Sequence, residues 1–233
     1  MQLNKIFSFI TNCGWPYGTK DRKGLSFLIK AYMEEFTSKD NVKLIVKLNA
    51  AYGMTQDLLN KNMTELKIQN KDLPQLVFIA DNLPYNKLNE FYNQGDVYVI
   101  SSLAEGFNLG GLEAMSCGLP VLSTDFGGQT DYINDNNGWL LKDGTMKEVD
   151  FDLLYEGISW KIPNLLEFRK MLRYIYEHQD EVKSKKDSAL ITAQQFTWQN
   201  SARRLIDYLK SSDTNDRNEN NINNNIIPPK TSI

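Results

Sequence analysis

Short apolar runs alternate along this chain with longer segments in which apolar side chains repeat every three or four residues. The runs at 76–80 and 97–100 are uninterrupted, whereas residues 25–36 place their apolar side chains on one helical face. Strands that are apolar on both faces indicate a parallel sheet with helices packed on each side. We therefore expect a doubly wound α/β fold.

The alternation predicts the individual elements. The predicted strands cover residues 5–11, 42–48, 76–80, 96–101, 120–123 and 138–141. The predicted helices between them cover residues 25–36, 56–69, 85–94, 109–117 and 128–133. Residues 142–161 are predicted to be irregular, because Asp143-Gly144 is a turn signal and no clear period follows it.

Three further helices are predicted to close the fold, over residues 164–176, 180–195 and 198–210. We expect Trp198 to anchor the packing of these terminal helices. From Asp213 onward the chain is rich in asparagine, which is typical of a disordered segment. The sequence therefore predicts one folded domain over residues 1–212 and a tail over residues 213–233.

The composition excludes several classes of protein. A chain of 233 residues, 41% of them hydrophobic, can bury a core without a disulfide or metal staple. Its two cysteines rule out a disulfide framework, and a single histidine, His178, rules out a His-rich zinc site and argues against a Ser-His-Asp triad. The net charge of −3 gives no basic field for nucleic acid or anionic lipid.

The apolar runs are far shorter than the roughly 20 residues that span a bilayer. The amino terminus breaks at Thr11-Asn-Cys-Gly14, too early for a secretory signal peptide. We therefore expect a cytoplasmic protein.

The loop after the first predicted strand, residues 11–24, combines glycine with positive charge. In open parallel sheets, ligands bind beyond the carboxyl ends of the strands. Gly14 lies in this loop, and Arg22 and Lys23 precede a helix whose amino terminus also favours anions. The loop is either a phosphate site or a solvated surface loop. Neither the G-x-G-x-x-G nor the G-x-x-x-x-G-K-[ST] nucleotide motif is present.

The loop after the fourth predicted strand, residues 101–120, carries two carboxylates among glycines. Glu105 precedes a predicted helix and Glu113 lies about one turn inside it. Two carboxylates so placed can accept hydrogen bonds from the hydroxyls of one sugar. The alternative is that Glu105 only favours the helix terminus while Glu113 faces solvent.

The loop after the fifth predicted strand, residues 124–131, contains Gly127-Gly128, which permits either a tight turn or close approach of a ligand. Three loops at the same edge of the predicted sheet thus carry glycine, cationic or carboxylate side chains. This convergence favours a shared ligand site over three unrelated turns.

The segment from Glu105 to Val121, Glu-Gly-Phe-Asn-Leu-Gly-Gly-Leu-Glu-Ala-Met-Ser-Cys-Gly-Leu-Pro-Val, resembles the E-x7-E signature of glycosyltransferase family 4, a retaining family with the GT-B fold. The resemblance extends over residues 5–210. It includes the segments Asp21-Arg-Lys-Gly, Asp96-Val-Tyr-Val-Ile-Ser-Ser, Phe126-Gly-Gly-Gln-Thr-Asp, Asn137-Gly138 and Phe196-Thr-Trp198. It implies the Rossmann-like, donor-binding half of a GT-B fold, with C-terminal helices.

The resemblance also implies roles for individual residues. Lys23, with Arg22 as a helper, would bind the donor diphosphate, and Glu105 would contact the transferred sugar or stabilise charge near its anomeric carbon. These three are the predicted catalytic residues. Glu113 would accept from the ribose hydroxyls. The other predicted substrate-binding residues are Gly14, Asn82, Leu83, Gly106, Phe107, Asn108 and Leu109, of which Asn82 and Leu83 would frame the nucleobase.

The implied donor is a nucleotide-diphosphate sugar, linked to UDP or GDP, with no metal and no other cofactor. The chain departs from the family in lacking a Gly-Arg pair several residues before Lys23. It also resembles only the second of the two domains of such enzymes. A second chain, a homodimer mate or a small acceptor would then complete the active site. The alternatives are a non-catalytic nucleotide-sugar-binding module acting with a partner chain, and a remnant retained as a scaffold.

Overall fold

A computed structural model describes residues 5–49, 55–81, 83–149 and 156–215. The strands are β1 (Phe7–Cys13), β2 (Val42–Leu48), β3 (Gln75–Ile79), β4 (Val97–Ile100), β5 (Val121–Thr124), β6 (Gly138–Leu141), β7 (Gly144–Glu148) and β8 (Ser159–Pro163). The α-helices are α1 (Leu25–Glu35), α2 (Gln56–Glu65), α3 (Leu88–Tyr92), α4 (Leu109–Ser116), α5 (Leu165–Glu177), α6 (Gln179–Gln195) and α7 (Trp198–Asn215). Short 3-10 turns cover Gly18–Lys20, Tyr85–Lys87 and Gly128–Asp131.

The main sheet has six strands in the order β3-β2-β1-β4-β5-β6, and every neighbouring pair is parallel. The predicted doubly wound α/β fold is therefore confirmed. The strand order reverses between β1 and β4, because the chain builds outward from β1 on one side and from β4 on the other. Such a switch point leaves a crevice at the carboxyl ends of the two strands.

Both faces of the sheet are covered, which explains why its strands are apolar without interruption. Phe9 and Val99 enter a core with side chains of α1 and α5, whereas Ile10 and Tyr98, next to them in the chain, enter a second core with side chains of α4 and α6. Successive side chains of a strand point to opposite faces, so each strand must be apolar at odd and even positions alike.

The prediction that residues 142–161 are irregular is wrong for the described parts of this segment, 142–149 and 156–161. They include β7 and the start of β8, which pair as a separate antiparallel ribbon. Trp160 of β8 is buried in a small cluster with Leu103 and Val149. The sequence did not reveal this ribbon because β7 is mostly exposed and polar, so its pairing depends on β8 and on contacts with a distant loop.

The terminal helices also differ from expectation. Trp198 does not anchor their packing, since it is 79% exposed. Residues 201–211 of α7 are all exposed as well. The helical period of α7 was predicted correctly, but periodicity does not specify what an apolar face packs against. α7 ends at Asn215, and residues 216–233 lie outside the described residues, so the division of the chain at residue 212 stays a prediction.

Several predicted helices are shorter than expected, and the segment predicted as a helix over 128–133 forms only a 3-10 turn over Gly128–Asp131. The helix predicted over 56–69 ends at Glu65, and Lys67 just beyond it takes a left-handed φ of 48°. The helix predicted over 85–94 begins with a 3-10 turn. Within the four described ranges, no helix is long and apolar enough to cross a lipid bilayer.

The contrast between α5 and α7 gives a test of the fold. Leu172 of α5 is 0% exposed and Leu205 of α7 is 59% exposed. We expect Leu172→Ala to lower the free energy of unfolding by about 2–5 kcal/mol, because it leaves a cavity in the core. The matched Leu205→Ala variant should change it by less than about 0.5 kcal/mol. Urea denaturation of the two variants measures both values, and equal losses would contradict this packing.

Candidate functional site

A cavity of about 390 Å³ opens at the switch point between β1 and β4. The loops that follow β1 and β4, together with the start of α4, form its walls. The lining residues are Thr11, Asn12, Cys13, Lys23, Tyr98, Val99, Ile100, Ser101, Ser102, Glu105, Phe107, Asn108, Leu109, Gly110 and Glu113. The convergence predicted for the loops after β1 and β4 is therefore present at the expected edge of the sheet.

An ion pair between Lys23 and Glu105 joins the two loops across the cavity. Lys23 Nζ lies 2.6 Å from Glu105 Oε2, and Arg22 Nη1 lies 3.6 Å from the same oxygen. Ser102 Oγ also donates to Glu105 Oε2, at 3.1 Å. The Glu105 side chain is only 10% exposed, so Lys23 and Arg22 both lie beside one largely buried carboxylate.

The surroundings of Glu105 keep it ionised. Burial by itself would raise the pKa of this carboxyl group, but the hydrogen bond and charge of Lys23, followed by the charge of Arg22, outweigh burial and hold the pKa below its ordinary value. A carboxylate in this position can accept hydrogen bonds from a hydroxylated ligand or stabilise positive charge that develops beside it.

Close backbone packing presents Lys23 to the cavity. A Cβ atom on Gly24 would lie 2.0 Å from the carbonyl oxygen of Ser101, and Gly24 has a φ of +63°, so only glycine fits here. Ser101 Oγ donates to the carbonyl oxygen of Lys23 at 2.9 Å, and the backbone N–H of Lys23 donates to Asp21 Oδ1 at 2.8 Å. Arg22 donates to the carbonyl oxygen of Ala104. The two loops are thus bonded through main-chain atoms as well as through the ion pair.

The loop after β5 (residues 124–131, the third loop) contacts the loop after β4 (residues 101–120, the second loop) on the side away from the first loop (residues 11–24). The backbone N–H of Gly128 donates to the carbonyl oxygen of Glu105 at 3.2 Å, and a Cβ atom on Gly128 would lie 1.9 Å from the carbonyl oxygen of Gly106. The Tyr132 hydroxyl donates to the carbonyl oxygen of Asn108 at 2.8 Å. This third loop therefore positions the Glu105 segment without lining the cavity itself.

The amino terminus of α4 points into the cavity. Asn108 caps the helix with a left-handed φ of 59°, and its Oδ1 accepts from the N–H of Gly111 at 3.1 Å. Phe107, Asn108 and Leu109 all line the cavity at this terminus. The partial positive charge of a helix amino terminus favours a bound anion beside it.

Glu113 lies one turn further along α4 and lines the same cavity. Its Oε2 accepts a hydrogen bond from the Tyr92 hydroxyl at 2.7 Å. The expectation that Glu105 and Glu113 face one cavity is met, and the alternative of a fully solvent-facing Glu113 is not.

Some predicted site residues do not line this cavity. Arg22 reaches it only through Glu105 and Ala104, Gly14 and Gly106 are outside its lining, and Leu83 packs against the second core. Asn82 lies outside the described residues. The roles assigned to these residues stay predictions.

Sequence reasoning also missed Ser102 and Tyr92, whose hydroxyl groups donate to Glu105 and Glu113. Ser102 could have been found, since it lies three residues before Glu105 in the same loop. Tyr92 carried no signal, because its contact with Glu113 depends on how α3 packs beside α4. Within the described ranges, no three His, Cys, Asp or Glu side chains come together as ligands of a metal would.

The ion pair predicts a measurable titration. Lys23→Met should raise the pKa of Glu105, because burial would then act without its principal opposing charge. In the wild-type protein, the lowered pKa of Glu105 means that the ion pair stabilises the fold at pH values above 4.5, the ordinary pKa of a glutamate. This stabilisation is lost as the pH falls through the pKa of Glu105 in the folded state. Carboxyl-carbon NMR titration measures the shift. Lys30 lies in α1, the helix that follows this loop, and pairs with Glu34. Lys30→Met should therefore leave the pKa of Glu105 unchanged, and an unshifted Glu105 in Lys23→Met would contradict the assignment.

Comparison with known proteins agrees with this geometry. The family model described as glycosyl transferases group 1 matches residues 19–151, more than half of the chain. An uncharacterized glycosyltransferase of Methanocaldococcus jannaschii is 28% identical over 191 residues, which are 81% of this chain but 42% of that protein.

Two solved structures are similar in fold. The C-terminal domain of a glycosyl transferase group 1 family protein (LpcC) of Francisella tularensis has a TM-score of 0.56 and 18% identity, and the match covers 82% of this chain and 85% of that one. HepE of Anabaena in complex with UDP-glucose has a TM-score of 0.59 and 20% identity, and the match covers 88% of this chain and 49% of that one. The chain thus spans about half or less of the longer proteins. It belongs to the group 1 glycosyl transferases, with the Rossmann-like C-terminal half of their GT-B fold.

Proposed function

We propose that this chain binds a nucleotide-diphosphate sugar and is the donor-binding part of a retaining glycosyltransferase. One observation carries the proposal: Lys23, Glu105, Glu113 and the amino terminus of α4 line a single cavity at the switch point of the sheet. This arrangement offers positive charge for a diphosphate and carboxylates for sugar hydroxyls in one place.

The diphosphate would lie between Lys23 and the start of α4. Lys23 now neutralises Glu105, so a bound diphosphate would take over part of its charge, with Arg22 as a second cation. Backbone N–H groups of Phe107, Asn108 and Leu109 would hold the distal phosphate or the sugar. When the bond to the sugar breaks, negative charge grows on the leaving diphosphate, and fixed positive charges that already face it stabilise that change.

The two carboxylates would divide the rest of the donor. Glu105 would contact the transferred sugar or stabilise positive charge near its anomeric carbon, and Glu113 would accept from the ribose hydroxyls. Asn82 and Leu83 would frame the nucleobase, and Gly14 and Gly106 would allow close approach of the ligand. Since HepE was solved with UDP-glucose, UDP-linked donors are the first to test.

A second polypeptide would supply the acceptor side, either another chain or a homodimer mate. One observation favours it: α7 exposes a row of apolar side chains to solvent. The residues of this row are Trp198, Leu205, Ile206, Tyr208 and Leu209. The same exposed row also favours the second candidate function, a non-catalytic nucleotide-sugar-binding module acting with a partner chain.

Calorimetric titration with UDP-glucose, GDP-glucose and ADP-glucose tests donor binding. We expect at least one to bind, and Lys23→Ala to weaken its binding by about tenfold or more, because a charge-assisted contact to the diphosphate is lost. Lys170→Ala removes an exposed lysine of α5 that does not line the cavity and should leave the affinity unchanged within about twofold.

Failure of all three donors to bind would refute the proposal. Release of free nucleotide from a bound donor, measured with the wild-type protein and with Glu105→Gln, separates the two candidate functions. Release that Glu105→Gln abolishes supports a transferase, and binding without release supports the non-catalytic module.

A further inference from the structure

The hydrogen bond between Tyr92 and Glu113 is a contact between two helices at the floor of the cavity. Tyr92 is the last residue of α3, and its hydroxyl lies 2.7 Å from Glu113 Oε2 on α4. Glu113 lines the cavity, whereas Tyr92 is only 2% exposed and does not. Tyr92 therefore acts on any ligand through Glu113 and not by touching the ligand itself.

The Tyr92 ring is held firmly by its neighbours. It packs against Phe91 with ring centroids 5.3 Å apart and against Tyr98 at 5.8 Å. These contacts fix the position of the hydroxyl, so the direction of its hydrogen bond is set by the core and not by the flexible Glu113 side chain.

The Tyr92 hydroxyl also keeps its proton at any pH that the protein meets. Burial is the main cause that raises its pKa far above the ordinary tyrosine value, and the nearby Tyr98 and Glu113 raise it further. Because it stays protonated, it always acts as a donor towards Glu113. One carboxylate oxygen is thus engaged from behind while the carboxylate faces the cavity.

A glutamate side chain has three rotatable bonds, and only some of its orientations place an acceptor towards a ligand. A fixed donor behind the carboxylate restricts those orientations before the ligand arrives, which reduces the entropy lost on binding. We infer that Tyr92 is a positioning residue, which orients Glu113 to accept from the ribose hydroxyls of the donor nucleotide. This inference rests on the proposed function, because it takes Glu113 as the ribose contact.

The test compares two ligands that differ only in those hydroxyls. UDP, GDP and ADP are titrated first, and the one that binds most tightly is carried forward with its 2′,3′-dideoxy analogue. We expect Tyr92→Phe to weaken binding of the natural nucleotide by about five- to tenfold and to leave the affinity for the dideoxy analogue unchanged within about twofold. A merely structural defect would weaken both ligands equally.

Two controls make the result specific. Tyr32→Phe removes another buried hydroxyl, which donates to backbone carbonyl groups of Val42 and Gln75 away from the cavity, and should leave both affinities unchanged. In a Glu113→Ala background, Tyr92→Phe should cause no additional loss, because the two residues then act as one unit.

The possible failures are distinct. If none of the three nucleotides binds, the proposed function and this inference are both overturned. If a nucleotide binds but Tyr92→Phe has no effect, weakens both ligands equally, or adds fully to Glu113→Ala, the inference alone is overturned. Preferential loss for the natural nucleotide, abolished by Glu113→Ala, supports it.

Discussion

The site depends on how closely three loops approach one another through their main chains. Gly24 lies against the carbonyl oxygen of Ser101, and Gly128 lies against the carbonyl oxygen of Gly106. Both approaches are so close that a Cβ atom at either position would clash with the carbonyl oxygen. The segment that carries Glu105 is therefore clamped from both sides. Because the clamp consists of backbone contacts, it fixes the main chain of the Glu105 segment. The ion pair with Lys23 forms within this frame.

The ion pair has a second consequence for binding. Lys23 and Glu105 come from different loops, and their charged atoms lie 2.6 Å apart with both side chains mostly buried. Each therefore neutralises the other in the free protein. A buried charge without a partner is costly, and the pairing keeps the site stable without a ligand. An anion that binds beside Lys23 must compete with Glu105 for its charge, and it can release Glu105 to contact another part of the same ligand. In the free site, the charges of Lys23 and Arg22 thus lie beside the opposite charge of Glu105.

The parts predicted from sequence are those that local pattern and strand order determine. Uninterrupted apolar strands revealed the parallel sheet, and the position of Lys23, Glu105 and Glu113 after strands placed them at one edge. What the sequence did not reveal depends on tertiary packing. β7 is a strand only because β8 pairs with it, and Tyr92 meets Glu113 only because α3 ends beside α4. The apolar period of α7 likewise does not show whether another element covers Trp198, which is exposed. Periodicity describes one element, and these features involve two.

The β7–β8 ribbon shows how a segment outside the predicted site still shapes it. The backbone N–H of Lys161 in β8 donates to the carbonyl oxygen of Leu103 at 3.1 Å, and the N–H of Leu103 donates to that of Arg22 at 2.8 Å. Lys161 Nζ also donates to the carbonyl oxygen of Asp125, at 3.1 Å. The ribbon therefore bonds to the second and third loops, and Leu103 passes that connection to the first. Since Trp160 buries its ring against Leu103, apolar packing and backbone hydrogen bonds hold the ribbon to the same residue. All three loops of the site thus share one support, which the polar sequence of β7 concealed.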